Sequence, residues 1–299
     1  MPPSPQDDSV RTGLIAAIAA FCVWGLAPLY FKWVAVVPAS EVVAHRVLWS
    51  VLLLGLIVAV RHQWHRVRAV FADSRLLATL ALSAVLNGAN WLIFVWAIAN
   101  DQVLETSLGY FINPLLSVLL GRLFLGERLR PWQTVAVLLA ATGVIWRIVG
   151  VGHLPVVALM LALTFGFYGL LRKRAPVDAI TGLLVETLVV LPVAVGWLLW
   201  RLHLGEAWIG RDLAVEALLP LAGIVTTVPL TLFAMGARRL PLATLGFLQY
   251  LAPSISFCLA VFVFKEPFDA ARLFGFALIW LALALYSVDL WRATRRPSR

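Results

Sequence analysis

Of the ionisable side chains that fall inside long apolar runs of this chain, Arg46 and Glu186 are the most informative. The chemistry they suit is recognition and proton exchange, not bond making. A planar guanidinium fork matches a carboxylate in geometry and charge, and a charge inside such a run marks a functional site by default. Arg46 would lie about five residues into its run, roughly 7 Å below one surface at a helical rise of about 1.5 Å per residue. Three roles stand open for it: holding a substrate carboxylate, snorkelling to the interface, or pairing with Glu41 or Glu105. His45 projects about 100° away around a helix and reads as a packed, hydrogen-bonded residue. Glu186 lies deeper, among Leu183, Leu184, Leu188 and Val189. A carboxyl at mid-depth suits loading and releasing a proton, unless it stays neutral or is locked to a structural partner.

Polar and aromatic residues at comparable depths complete a candidate substrate site. Asn87, Asn90 and Trp91 occupy i, i+3 and i+4, one face of a helix that would not point at lipid. Tyr110, Asn113, Tyr168, Thr226, Gln249 and Tyr250 add further groups. The expectation is a central cavity in which polar groups fix orientation and aromatic faces give adaptable contact. No His-Glu-x-x-His, glycine-rich phosphate loop, nucleophile elbow or acidic metal cluster is present, so the sequence offers no enzyme site, metal site or cofactor site. His62 and His65 have metal-like spacing without a third ligand nearby and read as solvated. Cys22 and Cys258 sit in apolar runs and indicate neither a disulfide nor a metal.

The elements that must position these residues are membrane helices. Hydrophobic residues make up 62% of the chain and charged residues 13%, whereas a soluble domain is nearer half and a quarter. The net charge of +9 sits in short loops, with no basic and aromatic face for nucleic acid. Ten runs approach the roughly 20 residues a bilayer demands: about 13–34, 41–61, 75–99, 103–125, 132–149, 155–172, 178–201, 213–237, 242–264 and 270–290. They are continuously apolar and do not alternate, which favours helices over a barrel. The first run has no basic stretch before Arg11 and no convincing cleavage site, and reads as a retained helix. Alternate connections hold seventeen cations, Arg172, Lys173 and Arg174 among them, against six in the others. That asymmetry puts both termini in the cytoplasm.

The chain also repeats itself. Tyr110-Phe111-Ile112-Asn113-Pro114 with Glu127 returns 139 residues later as Gln249-Tyr250-Leu251-Ala252-Pro253 with Glu266. Asn87 then matches Thr226 and Ser117 matches Ser256; Trp24-Gly25 matches Phe165-Gly166 at an offset of 141. Five spans per copy is an odd number, so the second copy enters the membrane from the opposite side and the repeats are inverted. The organisation expected is a cytoplasmic tail 1–12, a five-helix repeat 13–149, an inverted five-helix repeat 155–290 and a tail 291–299. Pro114 and Pro253, with Pro28, Pro192, Pro220 and Pro229, can kink their helices. Ser117 with Gly121, and Ser256 with Ala260, permit close helix approach. Glu127 and Glu266 are expected to accept hydrogen bonds from the start of the next helix.

With these motifs in view, the chain resembles the drug/metabolite transporter superfamily of EamA-type carriers, and within it the RarD-like permeases. The resemblance rests on Ala44-His45-Arg46-Val47-Leu48-Trp49-Ser50, Asn90-Trp91, Ser107 to Pro114, Phe165 to Lys173, Glu186-Thr187-Leu188, Pro229 to Phe233 and Leu248 to Pro253. It implies a carrier of two five-helix halves exporting small metabolites or drugs; RarD-like proteins are often labelled chloramphenicol permeases, and related carriers export amino acids. The function expected is therefore secondary export of amino acids or amphipathic compounds by alternating access, coupled to protons through Glu186. A membrane-embedded enzyme or a non-transporting subunit is the alternative. The partners expected are a small-molecule substrate and the lipid bilayer, with no nucleic acid; a homodimer is allowed, and the location is the inner (plasma) membrane.

Overall fold

A computed structural model describes residues 5–100, 102–151, 154–263, 265 and 270–295. Among the described residues all regular structure is helical: α1 (Pro5–Trp33), α2 (Ala39–Val60), α3 (Trp64–Ala72), α4 (Ser74–Ala99), α5 (Val103–Leu125), α6 (Pro131–Val151), α7 (Val156–Arg174), α8 (Ala179–His203), α9 (Leu213–Glu216), α10 (Leu221–Arg239), α11 (Leu242–Gln249), α12 (Leu251–Cys258) and α13 (Ala270–Arg295). A single π-helical turn, Leu259–Val263, extends α12. Among the described residues nine stretches are long and apolar enough to cross a membrane, and α6 adds the shorter apolar stretch Pro131–Trp146. Large apolar side chains such as Leu56, Leu123 and Val193 stay exposed, as on a lipid-facing surface. The chain is a multi-pass membrane protein.

The expected spans and the observed helices agree to within a few residues, with three differences. First, α1 begins at Pro5 and α13 runs to Arg295, so helix continues into both stretches expected as tails. Second, the loop carrying His62 and His65 contains α3, whose Val67 and Val70 are buried while Trp64 and Phe71 remain exposed. Third, the two proline motifs behave differently. Pro114 sits inside an unbroken α5. Pro253 follows a break at Tyr250, where the span divides into α11 and α12; a proline at 253 has no N–H for the Gln249 carbonyl. Pro220 precedes α10 and kinks nothing.

Small residues set how closely the helices approach, since lipid tails remove the hydrophobic drive between them. A Cβ on Gly25 would lie 2.7 Å from Ile255 Cβ, and one on Gly166 would lie 2.9 Å from Leu116 Cδ2. A Cβ on Gly223 would meet the Trp49 backbone at 2.8 Å. One buried cluster gathers Phe21, Tyr168, Leu183, Leu184 and Phe233 from α1, α7, α8 and α10. A second joins Phe111, Ala140, Phe247, Tyr250 and Tyr286 from α5, α6, α13 and the α11 region.

At one end of the bundle, ion pairs knit the connections that hold the larger cation set. Arg66 meets Asp178 at 3.6 Å, Arg130 meets Asp289 at 3.2 Å and Lys173 meets Glu127 at 3.6 Å. The Glu127 carboxylate accepts from the N–H groups of Leu242 (2.7 Å) and Ala243 (3.1 Å). It therefore caps a helix start as expected, but that of α11 in the other half and not the next helix. Gly126 makes this reach possible: it ends α5 in the left-handed region at φ 65°, which a side chain disfavours. Lys173 also donates to the Ala237 and Leu240 carbonyls. Glu266 lies outside the described residues.

Candidate functional site

Helix α2 brings Arg46 into the interior, 5% exposed, with its guanidinium carbon 3.5 Å from the centre of the Trp91 ring on α4. A desolvated cation on an indole face gains on the order of 2 kcal/mol, far less than a full counter-ion supplies inside a membrane. Arg46 Nε and Nη1 are buried without a hydrogen-bond partner. Its proposed partner Glu41 is engaged elsewhere: the carboxylate accepts from Arg201 Nε at 3.2 Å and from the Trp208 N–H at 2.9 Å. The side chain of Glu105 lies outside the described residues. Among the described residues Arg46 thus remains a buried cation without a carboxylate. His45 is buried as expected, but neither ring nitrogen has a hydrogen-bond partner, so that expectation of a bonded histidine is corrected: its neighbour Glu41 has spent both oxygens on Arg201 and Trp208.

Aromatic rings extend the site from Trp91. Phe31 and Phe94 lie 6.5 and 5.7 Å from it, and Tyr110 on α5 lies 6.3 Å beyond Phe94. Asn87, one turn before Trp91, and Asn113, one turn after Tyr110, each keep Oδ1 buried and unbonded. The Tyr168 hydroxyl is likewise unbonded. Arg46, Trp91 and, through Phe94, Tyr110 are thus brought together, with Asn87 and Asn113 one turn away; Tyr168 packs instead on Phe165 and Phe233.

Other expected members do different work. Asn90 turns to α7, donating through Nδ2 to the Leu161 carbonyl and Thr164 Oγ1, both at 2.8 Å. Tyr250 donates to the Phe111 carbonyl at 3.1 Å and belongs to the second buried cluster. Gln249 is half-buried at the end of α11. On α10, Thr226 is buried, and beside it Thr227 and Thr231, one turn apart, hold unbonded buried hydroxyls that the sequence reading did not select.

Glu186 is 3% exposed on α8 and has a partner the sequence did not reveal. Arg172 Nη1 lies 3.4 Å from its Oε1, and Ser83 Oγ donates to the same oxygen at 2.7 Å. Arg172 is 1% exposed, so its place among loop cations is corrected: it points inward along α7, not out into the loop. Gly182 makes the room, since a Cβ there would stand 2.2 Å from Arg172 Nη1. Without Arg172 the charge asymmetry is sixteen to six and keeps its direction.

The EamA-like transporter family matches this chain twice, over residues 11–148 and 155–288. The chain belongs to the EamA-like transporter family. Within it the chain is RarD-like: it is 47% identical over 280 residues to Protein RarD of Salmonella typhi, covering 93% of this chain and 95% of that protein. It is 48% identical over 301 residues to an uncharacterized transporter of Vibrio cholerae, covering 99% and 98%. A chloramphenicol-sensitive protein RarD of Pseudomonas aeruginosa is 36% identical, covering 96% and 97%. A solved crystal structure superimposes with a TM-score of 0.71 at 19% identity, covering 96% of this chain and 99% of that one, which shows a shared fold. The transporter role is thereby given; what this EamA-like chain carries rests on its own residues.

Proposed function

We propose that this EamA-like transporter is a secondary carrier of the inner (plasma) membrane that exports small carboxylate-bearing metabolites, amino acids foremost, by alternating access. The observation that carries the substrate class is the buried Arg46 guanidinium, stacked on Trp91 and lacking a carboxylate partner among the described residues. A ligand carboxylate supplies the missing counter-charge, and the unbonded Oδ1 atoms of Asn87 and Asn113 accept from a ligand's ammonium group. Trp91, Phe94 and Tyr110 receive an apolar or aromatic side chain.

Alternating access follows from an inverted repeat with both termini cytoplasmic. Three observations support this reading. The family matches the two halves separately. Gly25 packs on Ile255 and Gly166 packs on Leu116, and these partners are themselves 139 residues apart. The motif equivalents Trp24 and Phe165 meet at 5.9 Å. Exchanging the conformations of two such halves moves a central site from one side of the membrane to the other. The break at Tyr250, facing an unbroken α5, is the difference between halves that such an exchange requires. Glu186 is the proton site in this account, and taking up a proton there dissolves its pairing with Arg172.

Uptake of labelled amino acids and neutral drugs into proteoliposomes, with and without an imposed proton gradient, tests the proposal. Saturable, gradient-driven accumulation of amino acids supports it. Accumulation of the neutral drugs alone removes the carboxylate reading.

A further inference from the structure

The connection between α2 and α4 carries four arginines, Arg61, Arg66, Arg68 and Arg75, against one acid, Asp73. Asp73 is spent on the start of α4, where it accepts from the N–H groups of Arg75 and Leu76 at 3.0 Å each. Within this connection α3 is nine residues long and turns about 100° per residue. Counted around the helix from Trp64, Val70 stands at about 240°, Val67 at about 300°, Phe71 at about 340°, Arg68 at about 40° and His65 at about 100°. Val67 and Val70 are buried in the same cluster as Leu183 and Leu184 of α8. Arg66, at about 200°, pairs with Asp178 at 3.6 Å and holds the helix from that side. Trp64 and Phe71 are 45% and 49% exposed, and Arg68 and His65 are exposed beside them. The order around α3 is therefore buried apolar, exposed ring, cation, water.

That order is the one an interfacial helix needs. Its rings sit at the boundary of the acyl chains and its arginines at the depth of the headgroups. The chain holds α3 there, because α2 ends at Val60 and α4 begins at Ser74, so both flanks are membrane-spanning helices. Arg61, Arg68 and Arg75 are exposed and, among the described residues, have no carboxylate partner. The counter-charge present at that depth is the phosphate of a lipid. In a zwitterionic lipid that phosphate is offset by its own ammonium group, so net anionic lipid is favoured. We propose that α3 is an interfacial anchor that recognises anionic phospholipid: Trp64 and Phe71 enter the acyl boundary, and Arg68, with Arg61 and Arg75, holds the headgroup phosphates. This surface lies outside the Arg46 site and does not depend on what Arg46 binds.

Full-length protein in lipid nanodiscs tests this. In a background of Cys22→Ser and Cys258→Ser, one bimane label is attached through Phe71→Cys, or through Ala69→Cys at about 140°, on the side away from the rings. Discs of phosphatidylcholine alone are compared with discs that also contain phosphatidylglycerol, and quenching by aqueous iodide is measured. In the anionic discs the label at position 71 should be at least about fivefold less open to iodide than the label at 69, the ratio one arginine supplies near an anionic surface. A lipid carrying a nitroxide at its headgroup should quench the label at 71. Adding Arg61→Gln and Arg68→Gln should bring the protection down to its level in phosphatidylcholine alone, with melting temperature unchanged because both side chains are exposed. Equal iodide quenching at the two positions in anionic discs overturns the proposal, since α3 then stands in water. Protection that is the same in both kinds of disc, or that survives the two arginine substitutions, overturns it as well, since the rings alone then hold the helix and no anionic lipid is recognised.

Discussion

The Tyr250 hydroxyl donates to the carbonyl of Phe111 at 3.1 Å, and the two residues are 139 positions apart, the offset of the repeated motif. Equivalent residues of two copies touch only where the copies meet. Two further contacts, Gly25 on Ile255 and Gly166 on Leu116, are related to one another by the repeat, their partners again 139 positions apart. A methyl on Gly25 meets Ile255 Cβ at 2.7 Å, close to the backbone, whereas one on Gly166 meets the movable end of Leu116. Gly25→Ala should therefore destabilise by about 1–3 kcal/mol and Gly166→Ala by less. Adding Ile255→Gly to Gly25→Ala removes the Cβ that is met and should recover part of the loss. Thermal unfolding in detergent reads all three, and equal melting temperatures for the two glycine variants would count against this packing.

Arg172 and Glu186 form a pair with both members almost fully buried. Removing one partner of such a pair typically costs about 3–5 kcal/mol, while replacing both with apolar residues can be neutral. Arg172→Met alone and Glu186→Leu alone should each unfold at distinctly lower temperature, and the double variant should approach the wild type. Its uptake should no longer respond to a proton gradient. A double variant as gradient-sensitive as the wild type would take Glu186 out of the coupling.

The Glu127 carboxylate ties the end of α5 to the start of α11 and to Lys173. Opening that end of the bundle has to break these bonds, so Glu127→Ala should favour the open form. Ala243, which donates to Glu127, is the place to read it. In a background lacking Cys22 and Cys258, Ala243→Cys should react several-fold faster with a membrane-impermeant thiol reagent once Glu127 is removed. Unchanged reactivity would mean the carboxylate caps α11 without latching anything.

Asp178 caps α8 by accepting from the Thr181 N–H at 3.0 Å, and Arg66 stands 3.6 Å away. Burial works to raise its pKa, but the Thr181 bonds and Arg66 outweigh burial and hold the carboxyl below its usual 3.8. A lowered folded-state pKa contributes stability that is present above the usual value and lost as pH falls through the lowered one. Asp178→Ala should cost about 1 kcal/mol at neutral pH. Its melting temperature should converge with that of the wild type as pH falls below about 4. A constant difference across that range would exclude the electrostatic share.

Much of this architecture is legible in the sequence, because a bilayer writes its thickness into the length of every apolar run. Buried Arg46 and Glu186 are legible for the same reason: few charges interrupt those runs. Arg172 is not, because it ends α7 beside Lys173 and Arg174 and looks like one more loop cation; its inward turn depends on the space at Gly182, across a helix junction. Asn90 and Tyr250 share depth and chemistry with true site candidates, and only the positions of Thr164 and the Phe111 carbonyl show that their bonds are spent on packing. Glu127 is legible as a cap, but a helix start 115 residues away is invisible to a local reading.

The central claim is that Arg46 holds a ligand carboxylate, and one comparison bears on it most directly. Uptake of labelled L-phenylalanine and of its uncharged-carboxamide analogue L-phenylalaninamide is measured in proteoliposomes carrying wild type, Arg46→Lys or Arg46→Ala. The account predicts that Arg46→Ala loses at least about tenfold in phenylalanine uptake, worth about 1.4 kcal/mol, with Arg46→Lys in between and amide uptake little changed. Phenylalanine uptake by Arg46→Ala equal to that of the wild type would contradict it.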